Sequence, residues 1–141
     1  MIIHAGLITP PRPRGWPGVL IAGASGSGKS DLMLRLMDAG WRLVADDRTL
    51  VWVSQGRLFG RAPAPLAGLI EARGLGVISA PYRDFAEIVL SVRCSPPDSI
   101  ERVPPERRIS VLGVELPRVE LAGLEASAPS KVARALTHLG L

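Results

Sequence analysis

Apolar positions along the chain fall into short runs that Gly, Pro or charged residues interrupt every few positions. The stretch "IIHAGLI" (2–8) reads as a strand, "TPPRPRGWPG" (9–18) as a Pro/Gly-rich turn, and "VLIAG" (19–23) as a buried, β-branched strand. In "SDLMLRLMDAG" (30–40), Leu32, Met33, Leu36 and Met37 recur at helical spacing and the pattern stops at Gly40, which predicts an amphipathic helix. Strands are expected at 42–46 and 49–54, then a turn at Gln55 and Gly56 and a strand near 57–61. Residues 62–74 read as a loop with a short helical turn. Further strands are expected at 75–79, 86–93, 109–112 and 114–121, and a closing helix from about Ser130 to Leu139. Strands predominate, so the expected fold is α/β with a mixed sheet and few helices, and not a fully doubly wound sheet.

Length keeps this to one expected domain over 1–141, because 141 residues at 47% hydrophobic composition suffice for one core and leave no room for a second catalytic unit. The net charge of +4 comes almost wholly from arginine, since Lys29 and Lys131 are the only lysines. These arginines are scattered singly, and aromatic residues make up only 4%, so the clustered basic face of a nucleic-acid binder is missing. Cys94 is the only cysteine, which excludes a disulfide framework and a multi-cysteine metal site. It sits in the apolar run "IVLSVRCS" and reads as a small buried residue. No stretch has membrane-spanning length and the start lacks a secretory pattern, so a cytoplasmic protein is expected.

The candidate chemistry begins at "GASGSGKS" (23–30), which matches G-x-x-x-x-G-K-[ST] with a strand before it and a helix after. Gly23, Ala24, Ser25, Gly26, Ser27 and Gly28 can wrap backbone N–H groups around phosphate oxygens. Lys29 can reach the outer phosphates, and the Ser30 hydroxyl can ligate Mg²⁺. "LVADDRTLV" (43–51) ends an apolar strand on Asp46 and Asp47, two adjacent carboxylates placed to sit beside the loop, although Asp-Asp-Arg-Thr also suits an ordinary turn. In "LIEARGLGVIS" (69–79), Glu71 and Arg73 frame Gly74 and Gly76 just before another apolar run, offering a carboxylate for a metal and a backbone that a ligand can approach.

Taken together and in order, "IIHAGLI", "GASGSGKSDLMLRL", "RLVADDRTLV" and "APAPLAGLIEARGLGVI" closely resemble the catalytic C-terminal domain of bacterial HPr kinase/phosphorylase, with Glu71–Gly76 the most family-specific string. The resemblance covers roughly residues 2 to 79. It implies an ATP- and Mg²⁺-dependent serine kinase acting on HPr, the phosphocarrier of the sugar phosphotransferase system, or on an HPr-like protein. In many members the same site also reverses the step with inorganic phosphate. It further implies that His4 is an active-site histidine, Lys29 the phosphate-loop lysine, and Ser30 and Glu71 the magnesium ligands. Asp47 is then the carboxylate that deprotonates the serine, Arg102 in "IERVP" a catalytic arginine, and the assembly a homo-oligomer, often a hexamer.

This sequence also departs from longer members. It starts almost at His4, without their non-catalytic N-terminal domain; "VISAPYRDFAEIV" is shorter than their corresponding loop; and "ELPRVELAGLEASAP" replaces their basic, Gly-containing loop associated with phosphorolysis. Kinase chemistry therefore fits better than phosphorylase chemistry. Two other classes share such a loop: a nucleotide-sensing module that binds a partner without turnover, and a small-molecule kinase or GTPase. Retention of Asp47 and Glu71 argues against the first, and the absence of an N-K-x-D string or a lid segment argues against the second.

Overall fold

A computed structural model describes residues 1–12 and 15–141; the middle of the expected 9–18 turn lies outside the described residues. The chain opens with β1 (Ile2–Ile3) and β2 (Gly6–Thr9), continues through β3 (Pro17–Gly23) into α1 (Lys29–Asp38), and returns as β4 (Arg42–Ala45). The hairpin β5 (Thr49–Ser54) and β6 (Arg57–Arg61) follows, then a 3-10 turn at Ala64–Leu66 and a second hairpin of β7 (Leu69–Ala72) and β8 (Gly76–Ser79). The long β9 (Ala86–Cys94), a 3-10 turn at Pro97–Ser99, the hairpin β10 (Arg107–Val111) and β11 (Val114–Leu121), and α2 (Ala128–His138) complete it.

Two expectations are corrected by these elements. The single strand expected over 2–8 is two strands broken at His4 and Ala5, because β1 pairs with β5 while β2 pairs with β3 and β4. This junction links opposite flanks of the strand order β1-β5-β6-β9-β3-β2-β4, so the sheet must curl. The loop expected over 62–74 contains β7, which is a strand through its antiparallel pairing with β8.

The curl produces two cores. One lies between the sheet and the helices, where Val19 and Ile21 of β3 meet Leu32, Met33 and Leu36 of α1 and Val132 and Leu136 of α2. The other is built without helix residues, from Leu7, Leu20, Val51, Leu58 and Ile88 among others. Strand alternation sends Leu20 to one core and its neighbours Val19 and Ile21 to the other. On β9 the register steps from Gly18↔Ile88 to Val19↔Leu90, leaving Val89 as an extra residue. That bulge turns Ile88 and Leu90, two positions apart, onto opposite faces.

Strand direction then decides where chemistry can gather. β9 runs parallel to β3 and to β11, while β4 is antiparallel to β2, which is antiparallel to β3. The carboxyl ends of β3, β4, β9 and β11 and the amino end of β2 therefore share one rim. Among the described residues no helix is long and apolar enough to cross a membrane.

Candidate active site

On this rim, β3 runs into the glycine-rich loop and the loop into α1. A Cβ on Gly23 would lie 2.7 Å from the Cys94 carbonyl oxygen and 2.7 Å from Ser27 Oγ, and φ there is 140°, so the sharp exit from β3 requires glycine. Gly28 caps α1 with φ 94° and no side chain caps that helix end, which leaves its first N–H groups facing the loop. Below it, Cys94 is buried, and burial pushes its thiol pKa up, as suits a packing residue.

Beside the loop, β4 ends in a three-residue turn. Arg48 donates its backbone N–H to the Asp46 carbonyl at 2.7 Å, and Asp47, at its centre, has φ 60°. This left-handed conformation is one that Asp tolerates better than most residues. It accompanies a split in orientation between the two carboxylates. Asp47 Oδ1 accepts a hydrogen bond from Lys29 Nζ at 3.2 Å and lies 3.3 Å from His4 Nδ1. Asp46 Oδ2 instead accepts the backbone N–H of Glu71 at 2.9 Å, which ties the β7–β8 hairpin to the end of β4.

The two carboxyls titrate in opposite directions for stated reasons. Burial raises Asp47, but the Lys29 hydrogen bond and charge, with His4 alongside, outweigh it and leave the group below its ordinary value of 3.8. Burial also raises Asp46; the Glu71 N–H lowers it, and the charges of Asp47 and Glu71 push the balance upward, above 3.8. One carboxylate is thus held ionised beside a cation, and its neighbour resists ionisation.

A cleft of about 660 Å³ opens over these groups. His4, Gly23, Ser25, Gly26, Gly28, Lys29, Ser30, Asp47 and Glu71 line it, so residues from the end of β1 to β7 meet on one rim. Ala24 and Ser27 of the expected binding loop do not line the cleft, and the Ser27 hydroxyl is buried without a hydrogen-bond partner among the described residues. Arg102 is the larger departure: it lies on an exposed bend between the turn at Pro97–Ser99 and β10 and lines no part of the cleft. Asp31, Leu34, Asp46, Arg73 and Leu124 line it as well. Leu34 and Leu124 carry no signal in the sequence, since a lone Leu on a helix or in a loop has no chemical signature.

Among the described residues no group of three or more His, Cys, Asp or Glu side chains is arranged to hold a metal ion. Ser30, Asp46 and Glu71 nevertheless share the cleft. One hydroxyl and one or two carboxylates fit Mg²⁺, which keeps several waters and takes its other ligands from phosphate oxygens.

The chain is similar to known proteins over most of its length. The family model for the HPr Serine kinase C-terminal domain matches residues 16–122. The chain belongs to that family. The HPr kinase/phosphorylase of Clostridium tetani is 47% identical over 76 residues, which are 54% of this chain and 25% of that relative. That of Geobacillus thermodenitrificans is 38% identical over 110 residues, 77% of this chain and 36% of the relative. The chain thus spans about a quarter to a third of the length of these HPr kinase relatives. The solved structure of the Hpr(Ser) kinase/phosphatase from Coxiella burnetii aligns over 99% of this chain and 95% of its own, at TM-score 0.85 and 26% identity. The mixed, curled sheet with two helices is therefore the fold of the HPr kinase C-terminal domain.

Proposed function

We propose that this chain is an ATP-dependent protein-serine kinase that phosphorylates HPr or an HPr-like phosphocarrier protein. The observation that carries the proposal is the Asp47 carboxylate, held between Lys29 at 3.2 Å and His4 at 3.3 Å on the lip of a glycine-rich loop. A carboxylate kept ionised at the open end of a phosphate loop is placed to take a proton from an incoming hydroxyl. The family membership and the named relatives support the same activity.

In this chemistry the backbone N–H groups of 23–28 and the Lys29 ammonium hold the donor's phosphates. Lys29 leaves Asp47 for a phosphate oxygen, and Asp47 accepts the acceptor serine's proton as its oxygen bonds to the γ-phosphorus. The bond to the β,γ-bridging oxygen breaks, and ADP leaves. General-base help of this kind is typically worth ~10²–10⁴-fold. Ser30 and Glu71 would hold Mg²⁺, which when bound neutralises charge on the phosphates. Asp46 keeps Glu71 in place through its backbone. His4 neighbours Asp47 and orients it. Arg102 lies outside the cleft and receives no step within one chain.

We take the protein to act in the cytoplasm as a homo-oligomer, a hexamer by family resemblance, with neither membrane nor nucleic acid as partner. Intact-mass spectrometry of an HPr-like protein incubated with this chain, Mg²⁺ and ATP tests the proposal. A gain of one phosphate on serine is expected. ATP binding without any gain would instead indicate a nucleotide-sensing module.

A further inference from the structure

The turn that follows β11, residues 122–125, packs on the glycine-rich loop, and from Gly123 onward it lies beyond the residues that the family model matches. Gly123 sits so close that a Cβ there would be 2.8 Å from Cys94 Sγ and 3.1 Å from the Ser27 carbonyl oxygen. Leu124 rests over Gly28, where an added Cβ would come within 2.8 Å of Leu124 Cδ2. One side chain pins this turn. Arg35 of α1, held by Asp31 Oδ2 at 3.0 Å through its Nε, donates from its guanidinium to the carbonyls of Gly123 and Glu125, the latter at 2.8 Å. The outcome is an apolar side chain, 66% exposed, fixed in the wall of the cleft.

Its side of the cleft is informative. β3, which delivers the loop, is flanked on one edge by β2 and then β4, which carries Asp46 and Asp47. On its other edge lies β9 and then β11, which delivers Leu124. The loop therefore separates the charged groups from Leu124. A nucleoside triphosphate whose last phosphate meets Lys29 and Asp47 extends its other end away from them, across the loop. A large exposed apolar side chain gains by covering a flat ring there, because burial of apolar surface on both partners is favourable.

We propose that Leu124 is the platform for the nucleoside end of the donor, and that Arg35 is a positioning residue that holds it there. This rests on the donor reading given above. Calorimetric titration of Leu124→Ser with Mg-ATP and with inorganic tripolyphosphate separates the two. The substitution is expected to weaken ATP binding about tenfold, the scale of one apolar contact in a pocket, and to leave tripolyphosphate unchanged. Leu124→Met, which keeps an apolar surface, is expected to retain ATP affinity, and Arg35→Met to show the same split as Leu124→Ser. Equal weakening of both ligands, or unchanged ATP affinity, overturns the inference, as does a higher KM for the acceptor protein at unchanged ATP affinity. A wild-type chain that binds neither ligand overturns the donor reading itself.

Discussion

Lys29 Nζ donates to Asp47 Oδ1 at 3.2 Å, joining the first residue of α1 to the turn after β4 across 18 positions of sequence. The lysine side chain is only 15% exposed and the aspartate 48%, so the pair is half-shielded, and its net worth is at most about 1 kcal/mol. Asp47's pKa is depressed in the fold, so the stabilisation is present above its ordinary value of 3.8 and is lost as pH falls through the lower folded value. Lys29→Met should therefore lower Tm at pH 7, and its gap to wild type should narrow as pH falls below 3.8 through the lowered folded value. Thermal melts across an acid series check this, and a gap that widens in acid would contradict the pairing.

Asp46 carries the opposite sign. Its raised pKa means that its contribution to stability declines as pH rises through 3.8 toward the higher folded value. Asp46→Asn keeps an acceptor for the Glu71 N–H and removes that penalty, so it should be as stable as wild type or more so at pH 7, with the advantage gone below pH 3.8. Asp46→Ala loses the bond and should cost about 0.5–1.5 kcal/mol. Denaturant unfolding at pH 7 and at pH 3.5 reads both; an Asn variant as unstable as the Ala variant would show that the hydrogen bond is not what Asp46 contributes.

Gly23→Ala places a Cβ 2.7 Å from the backbone oxygen of Cys94, which cannot swing aside as a side chain could, at a φ of 140°. A loss of about 1–3 kcal/mol is expected. Because the strain falls on the loop itself, nucleotide affinity should fall with it. Equal stability to wild type by denaturant unfolding would mean that the exit from β3 is less constrained than its geometry implies.

Much of this was legible in the sequence because the relevant signals are local. The apolar run before the loop, the helical spacing of Leu32, Met33 and Leu36, and the acidic pair closing β4 each sit within a few residues. What was not legible depends on distant pairing. β7 is too short for its alternation to register after a Pro-rich stretch, and only β8 makes it a strand. The break at His4 and Ala5 follows from the sheet's curl, which no local pattern encodes. Arg35 is, in sequence, one more of the singly scattered arginines, yet its carbonyl partners lie 88 and 90 positions away. Arg102 shows the converse: its role came from the family resemblance alone, and its position on an exposed bend keeps it from the cleft.

The central claim is that Lys29 serves donor binding while Asp47 serves transfer, and it is tested most directly by measuring both quantities in Lys29→Ala and Asp47→Asn. Asp47→Asn is expected to bind Mg-ATP about as well as wild type and to lose phosphoserine formation by ~10²–10⁴-fold, the range for a missing general base. Lys29→Ala is expected to weaken ATP binding itself. Equal loss of ATP affinity in both variants, or transfer preserved in Asp47→Asn, would contradict the division of labour that the geometry supports.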